Sequence, residues 1–138
     1  MEAASLVTDF DHYTVLTADY EASWRFYESA LGLTVREREG STTPAFKVSI
    51  GEREVVHVFQ ATPQMGALPP VGAEGERSTG RLLHVEFWAT GLTEARERLT
   101  SAGVQFSERT LPDKHQVQTR DPDGIAVGLN FPLSETPA

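Results

Sequence analysis

The first strand-like stretch of the chain reads Phe10-Asp11-His12-Tyr13-Thr14-Val15-Leu16-Thr17. Apolar and polar side chains alternate along it, as expected for a strand with one buried face. A helical pattern follows over about residues 20–31, and Gly32 supplies its C-terminal stop. Three more strand-like runs, at 33–37, 45–50 and 55–60, complete a βαβββ order.

The second part of the chain repeats this order. The pattern predicts a strand at 82–89, a helix at 92–102, and strands at 104–108, 116–120 and 125–131. Thr93 is a candidate N-cap of the helix, and Gly103 ends it. Asp121-Pro122-Asp123-Gly124 is a strong turn signal before the last strand.

The two halves also match by position. His12 and His84 take the same place in the first strand of each half, and the separations from His12 to His57 and from His84 to Gly128 are 45 and 44 residues. We therefore expect His57 and Gly128 at equivalent points of the last strands. One βαβββ unit cannot bury both faces of its sheet, whereas two can enclose a shared space. The predicted fold class is α+β, with two paired βαβββ modules forming a curved mixed sheet around a central cavity.

A chain of 138 residues suits one domain of this kind. We predict module one at about 9–61, a linker at about 62–81, module two at about 82–131 and a flexible tail at 132–138. The linker is rich in Pro, Gly and Ala, and it either covers the cavity mouth or simply connects the modules.

Composition excludes several classes of function. A formal net charge of −8 argues against nucleic acid as a partner. No stretch approaches the roughly 20 apolar residues of a membrane span. The chain has no cysteine, which excludes disulfides, thiolate metal ligands and cysteine nucleophiles. The N-terminus lacks the pattern of a signal peptide, so we expect a cytoplasmic protein.

Several motifs then identify a family. The pattern of the first half is His12-x6-Asp19 followed by Ser23-x2-Phe26-Tyr27-x3-Leu31-Gly32-Leu33, and that of the second half is His84-Val85-x-Phe87, Ala102-Gly103-Val104 and Asp121-Pro122-Asp123-Gly124. Together these resemble the vicinal oxygen chelate superfamily, of the glyoxalase, bleomycin resistance and dioxygenase type. The resemblance spans about residues 9–131. It implies a single glyoxalase-like domain and, in many members, a divalent metal at the cavity centre. Others carry no metal and sequester antibiotics.

The resemblance also implies a ligand set. Carried over, the metal ligands are His12, His57, His84 and the residue at 128, which is normally a glutamate. Here that residue is Gly128, which has no side chain to offer. Glu86 shares the face of His84 by strand parity and is a candidate replacement, as ligand or as general base. Asn130 shares the face of Gly128 and could contribute its carbonyl oxygen.

Each of these residues has a less specific interpretation. His12 could be a structural histidine, His57 could line the cavity without binding metal, and Glu86 could be solvated at the cavity mouth. Gly128 could abolish metal binding, make room for a bulky substrate or mark a strand bulge. His115 lies beside a turn-rich segment, where surface placement is slightly favoured over a substrate contact.

The same parity predicts the rest of the cavity wall. Thr14, Leu16, Val55, Phe59 and Trp88 should face inward with the histidines. Phe59 and Trp88 are the best candidates for stacking on a ligand.

Three functions remain open. The first is a metal-dependent enzyme with isomerase, lyase or dioxygenase chemistry. It would act on a small substrate with vicinal oxygens through a metal-stabilised, enolate-like intermediate, with Fe, Zn, Ni or Mn not distinguished. The second is a metal-free protein that sequesters an antibiotic or metabolite, for which the acidic surface would suit cationic compounds. The third is a cofactor-free acid/base enzyme. The family resemblance also implies a homodimer.

Overall fold

The first βαβββ module takes the predicted order in a computed structural model, which describes residues 9–63 and 84–137. Its elements are β1 Tyr13–Thr17, α1 Tyr20–Arg25, a π-helical turn Phe26–Ala30, β2 Thr34–Glu37, β3 Ala45–Ile50 and β4 Arg53–Gln60. The sheet order is β1-β4-β3-β2. Strand β1 runs parallel to β4, and the other pairs are antiparallel.

The second module repeats this topology. Its elements are β5 His84–Trp88, α2 Leu92–Ser101, β6 Ser107–Thr110, β7 His115–Arg120 and β8 Ala126–Phe131, followed by a 3-10 turn Leu133–Glu135. The sheet order is β5-β8-β7-β6, with β5 parallel to β8. The α+β fold of two βαβββ modules is therefore confirmed. The predicted linker lies mostly in 64–83, outside the described residues.

The first helix is α-helical only in its first half. Asp19 caps it by accepting a hydrogen bond from the backbone N–H of Ala22 at 3.0 Å. Beyond Arg25 the backbone hydrogen bonds join residues five apart instead of four, as in a π-helix. The N–H of Leu31 donates to the carbonyl of Phe26 at 3.1 Å. The turn buries the side chains of Phe26, Tyr27 and Ala30 together.

Two predictions for module two, the N-cap residue of its helix and the start of its second strand, were wrong. Helix α2 begins after Gly91, which takes a left-handed φ of 84° and has no side chain, so Thr93 is not its N-cap. The carboxylate of Glu135 accepts hydrogen bonds from the N–H groups of Gly91 and Leu92 instead. Glu135 belongs to the tail that was expected to be flexible. Strand β6 begins three residues later than predicted, because Val104 and Phe106 pack on the core from the coil before it.

The core lies between the sheets and the helices. The buried faces of both sheets contribute to one cluster that includes Val56, Val58, Val117 and Val127. The modules are also joined by a hydrogen bond of 3.3 Å from the Tyr27 hydroxyl to Asp121. The opposite side of each sheet, called here its open face, is not covered by its own helix, and the two sheets do not close on each other. No helix in the described ranges is long and apolar enough to cross a membrane.

Candidate functional site

The strand register places the duplicated positions at equivalent points of the two open faces. In module one Thr14, two residues after His12, is paired with His57. In module two Glu86, two residues after His84, is paired with Gly128. The match inferred from chain separations therefore also holds in the hydrogen-bonded pairing.

The open face of module one carries a histidine pair. The rings of His12 and His57 are stacked, with their centroids 3.9 Å apart and an interplanar angle of 26°. His57 Nε2 lies 3.1 Å from Glu54 Oε1, and Lys47 Nζ lies 3.1 Å from Glu54 Oε2. The hydrogen bond from Lys47, and then that from His57, lowers the pKa of Glu54. His12 Nδ1 contacts the neighbouring carboxylate of Asp11.

The open face of module two carries a histidine–carboxylate pair. His84 Nε2 lies 3.3 Å from Glu86 Oε2. The other carboxylate oxygen, Glu86 Oε1, accepts a hydrogen bond from the side-chain amide of Gln116. The same amide donates to Asn130 Oδ1 at 3.0 Å. A continuous polar chain therefore runs across the sheet from His84 to Asn130, and Gln116 and Asn130 are buried within it.

Gly128 lies under this chain. A Cβ atom at that position would meet Glu86 Oε1 at 3.0 Å and Gln118 Nε2 at 3.1 Å. The space that a side chain would occupy is thus filled by the ends of two neighbouring polar side chains. Gly128 has no positive φ, so its backbone does not require glycine. Close approach of Glu86 is the physical reason for the small residue.

The predicted metal ligands come together in two pairs rather than one group. His12 meets His57, and His84 meets Glu86. Within the described parts of one chain, no three His, Asp or Glu side chains form a group that could hold a metal ion.

His115 does not lie where it was expected. Its side chain is buried, with 4% of the residue exposed, and faces away from the open face because its neighbour Gln116 points toward it. His115 Nε2 lies 2.7 Å from Glu108 Oε1, and its Nδ1 lies 2.9 Å from the Thr110 hydroxyl. The expected surface placement is therefore wrong, and a substrate contact of His115 stays a prediction. The turn-rich neighbourhood was misleading, since β7 begins at His115 itself.

The predicted aromatic residues occupy both open faces. Phe59 lies two residues after His57, and the guanidinium of Arg38 stands 5.0 Å from the centre of its ring. Trp88 is 71% exposed, with Lys114 Nζ 5.6 Å from its ring centre. Both side chains are thus accessible for ligand stacking.

Sequence reasoning missed Gln116, Gln118 and Glu54. The hairpin around the 121–124 turn pairs Arg120 with Ala126, so counting outward by two places Gln118 opposite Gly128 and Gln116 opposite Asn130. That signal was available. Glu54 reaches His57 across a register shift in the β3–β4 pairing, which the sequence does not reveal.

A large groove lies elsewhere on the described part of the chain. It has a volume of about 1000 Å³ and runs between α1 and module two, past Arg25, Phe26 and Pro122. None of the predicted metal ligands lines it. The candidate site lies on the open faces, which carry the His12–His57 pair and the His84–Glu86 pair.

Comparison with known proteins gives the class of the chain. Residues 9–129 match the family model of the Glyoxalase/Bleomycin resistance protein/Dioxygenase superfamily, so the chain belongs to this family. No curated protein matches it.

Solved structures support the fold. A glyoxylase/bleomycin resistance protein/dioxygenase domain from Frankia sp. EAN1pec is 21% identical, with a TM-score of 0.68, and 94% of this chain and 96% of that chain are covered. TnmS3, an antibiotic binding protein from Streptomyces sp. CB03234, is 19% identical with a TM-score of 0.66 and coverage of 94% and 99%. FosX of Listeria monocytogenes, a fosfomycin resistance protein, is 16% identical with a TM-score of 0.67 and coverage of 91% and 94%. At these identities the likeness shows the fold alone.

Proposed function

We propose that the protein is a metal-dependent enzyme acting on a small molecule with vicinal oxygens. One observation carries the proposal: each of the three open-face histidines has a carboxylate on one ring nitrogen. The pairs are His12 with Asp11, His57 with Glu54, and His84 with Glu86. Metal-bound histidines commonly have such a partner, because it sets the tautomer and leaves the other nitrogen for the metal.

A homodimer is part of this proposal. The His12–His57 pair and the His84–Glu86 pair lie at equivalent places but do not meet within the described parts of one chain. In a twofold dimer, module one of each chain can face module two of its partner, so that two complete sites form. Each site would then have three histidines and one carboxylate, a donor set that suits Zn, Fe, Ni or Mn. A manganese-bound structure of the FosX relative supports a divalent metal.

The residues of the chain take distinct roles. When bound, the metal would hold two adjacent substrate oxygens and supply Lewis-acid chemistry. Glu86 is positioned from two sides, by His84 and by the amide of Gln116, and its side chain is 27% exposed. It therefore either binds the metal or moves a substrate proton as general base. Isomerase, lyase and dioxygenase chemistry all fit this arrangement. Phe59 and Trp88 would exclude water from the substrate.

Metal analysis tests the proposal directly. Protein purified without chelator should contain stoichiometric divalent metal, measured by elemental analysis. His12→Ala and His84→Ala should each lose it. His115→Gln should retain it if its circular dichroism shows a folded protein, because His115 faces away from the site. Absence of metal after loading with Zn, Fe, Ni and Mn would overturn the proposal. Unchanged metal affinity and turnover in Glu86→Gln would remove Glu86 from the site.

A second candidate is a metal-free binding protein, favoured by the missing side chain at Gly128. The TnmS3 relative binds an antibiotic, and Trp88 here offers a large exposed ring. This function predicts ligand binding that is unaffected by chelator and by His12→Ala but weakened by Trp88→Ala. A cofactor-free acid/base enzyme would instead lose activity in Glu86→Gln while containing no metal.

A further inference from the structure

Two arginines occupy equivalent positions in the duplicated modules. In module two, Arg109 on β6 is paired with Gln116 on β7, which is paired with Asn130 on β8. In module one, the N–H of Arg38 donates to the carbonyl of Ala45, which is paired with Phe59 on β4. Phe59 and Asn130 are in turn paired with Leu16 and Trp88 on the first strands. In each module, these cross-strand pairs form a row of residues across the sheet. Arg38 and Arg109 therefore lie at the same end of corresponding rows.

Both arginines lie on the open faces. Arg38 stands over the Phe59 ring, and Arg109 Nε donates to Gln116 Oε1 at 2.8 Å. Arg36, two residues before Arg38, shares its face in the row of Lys47 and His57. Across residues 9–63 and 84–137, none of these three arginines forms an ion pair. Cationic side chains without an ion pair in these ranges are unexpected in a chain with a net charge of −8.

On both β2 and β6, acidic and basic side chains lie on opposite faces of the strand. β2 and β6 are edge strands, where any charged residue opposes unwanted strand pairing. Edge protection alone would not select the sign on each face. The acidic residues Glu37 and Glu108 are paired with Phe46 and Val117 on the core side, whereas the arginines face the open side. The ion pair with Arg96 on α2, at 2.6 Å, accounts for Glu108 on its side, whereas within the described residues no carboxylate partner accounts for the arginines on the open side, which points to a ligand.

We propose that the open faces bind an organic oxyanion, a carboxylate or phosphonate joined to an apolar group. The planar guanidinium of arginine forms paired hydrogen bonds with such groups. Phe59, Leu16 and Trp88 lie in the same rows and would contact the apolar part. The proposal names the substrate class of the proposed site and so rests on that site. It is opposite in sign to the cationic ligands that the overall charge suggested.

Binding of four matched probes tests this. Benzoate and phenylphosphonate are anionic, benzamide is neutral and benzylammonium is cationic. The full chain is titrated with each, with and without EDTA. The indole N–H resonance of Trp88 is followed by NMR and assigned with Trp88→Phe. Arg38→Gln and Arg109→Gln are compared with Arg25→Gln, whose exposed side chain lies on α1 and meets Glu21 at 4.0 Å.

We expect one or both anions to bind more tightly than benzamide, and benzylammonium to bind least. Arg38→Gln or Arg109→Gln should weaken anion binding about tenfold or more, while Arg25→Gln should not change it. A preference for phosphonate over carboxylate, or the reverse, would identify which oxyanion the site takes. Equal binding of benzamide, preferred binding of benzylammonium, or unchanged anion affinity in both arginine variants would overturn the proposal.

The outcome is separable from that of the metal proposal. Anion binding that survives EDTA and requires the arginines would support the oxyanion site even if no metal is found. Stoichiometric metal without arginine-dependent anion binding would leave the metal centre supported and the oxyanion site wrong.

Discussion

Gly128 and Glu86 are best understood as a pair. Glycine alone suggests a lost ligand, yet the carboxylate of its cross-strand neighbour lies where a Cβ would come within 3.0 Å of it. In the proposed metal site, Glu86 would bring to this row the charge that the family resemblance implies at position 128. The missing ligand and the extra carboxylate would then be two aspects of one arrangement.

Gly128→Ala tests this pairing. Stability should change by no more than about 1 kcal/mol, because the crowded atoms are the ends of flexible side chains and alanine restricts the unfolded chain. Metal affinity should fall about tenfold or more as Glu86 is displaced. Urea unfolding and metal titration measure the two effects. In a Glu86→Gln background, Gly128→Ala should have little further effect on metal affinity. If the two substitutions lowered metal affinity additively, the pairing of Gly128 with Glu86 would be contradicted.

Asp121 is a buried carboxyl group at the junction of the modules. Its Oδ1 accepts hydrogen bonds of 2.9 Å from the N–H groups of Asp123 and Ile125, and its Oδ2 accepts one from Tyr27. Burial nevertheless raises its pKa from 3.8 to about 6. The folded state therefore binds this proton more tightly than the unfolded state.

Asp121→Asn should alter the pH dependence of stability. The contribution of Asp121 is fully present below pH 3.8 and is lost as the pH rises through about 6. Asparagine keeps the oxygen that accepts from the backbone and carries no charge. The free energy of unfolding of the variant, relative to wild type, should therefore increase by up to about 3 kcal/mol between pH 4 and pH 7. Urea titrations at several pH values measure it, and a difference independent of pH would contradict it.

Helix α2 shows how an element can depend on a distant residue. Its first turn contains no side-chain cap of its own, and its N-cap position is a glycine in a left-handed conformation. The Glu135 carboxylate closes that end with hydrogen bonds of 2.9 Å and 2.8 Å to Gly91 and Leu92. A negative charge there also interacts favourably with the helix dipole.

Glu135→Ala should therefore destabilise the protein by about 1–2 kcal/mol. Thr93→Ala is the matched control, because Thr93 is the cap that local sequence predicts and the structure leaves without that role. It should have a much smaller effect. Urea unfolding gives the free energies, and hydrogen exchange of the first turn of α2 locates the loss. Equal losses of unfolding free energy in the two variants would instead support Thr93 as a cap of the helix.

These elements show what sequence reasoning could and could not reach. Strands β3 and β8 and the 121–124 turn follow from alternation and turn chemistry within a few residues. The cap from Glu135 joins residues 44 apart and leaves no local signal. The exposed strand β6 offers no buried alternation to detect. In the site, the equivalence of His12 and His84 followed from the matching residue spacings of the two halves. The burial of His115 and the contacts of Glu54 depend instead on strand register.

At the scale of the whole molecule, duplication places a histidine-bearing open face on each module, and the proposed function takes these faces as two half-sites. The apolar faces of both sheets are used in a common core, so the open faces are left to meet another surface. Each open face carries histidine, arginine and aromatic side chains in corresponding rows, and each of these histidines contacts a carboxylate. An enclosed central cavity is therefore best explained as a feature of the proposed dimer rather than of the single chain.

Mixing two inactive variants tests this assembly. His12→Ala damages only module one, and His84→Ala damages only module two. If a site is built from module one of one chain and module two of its partner, a mixed dimer has one site with both changes and one intact site. Equimolar mixing after subunit exchange should then restore about a quarter of the wild-type metal content, or of its activity. Each variant alone should remain near zero, as should a mixture of His12→Ala with His57→Ala, which leaves no intact site. No recovery in the first mixture, with mixed dimers demonstrated by mass spectrometry, would show that sites are not shared in this way.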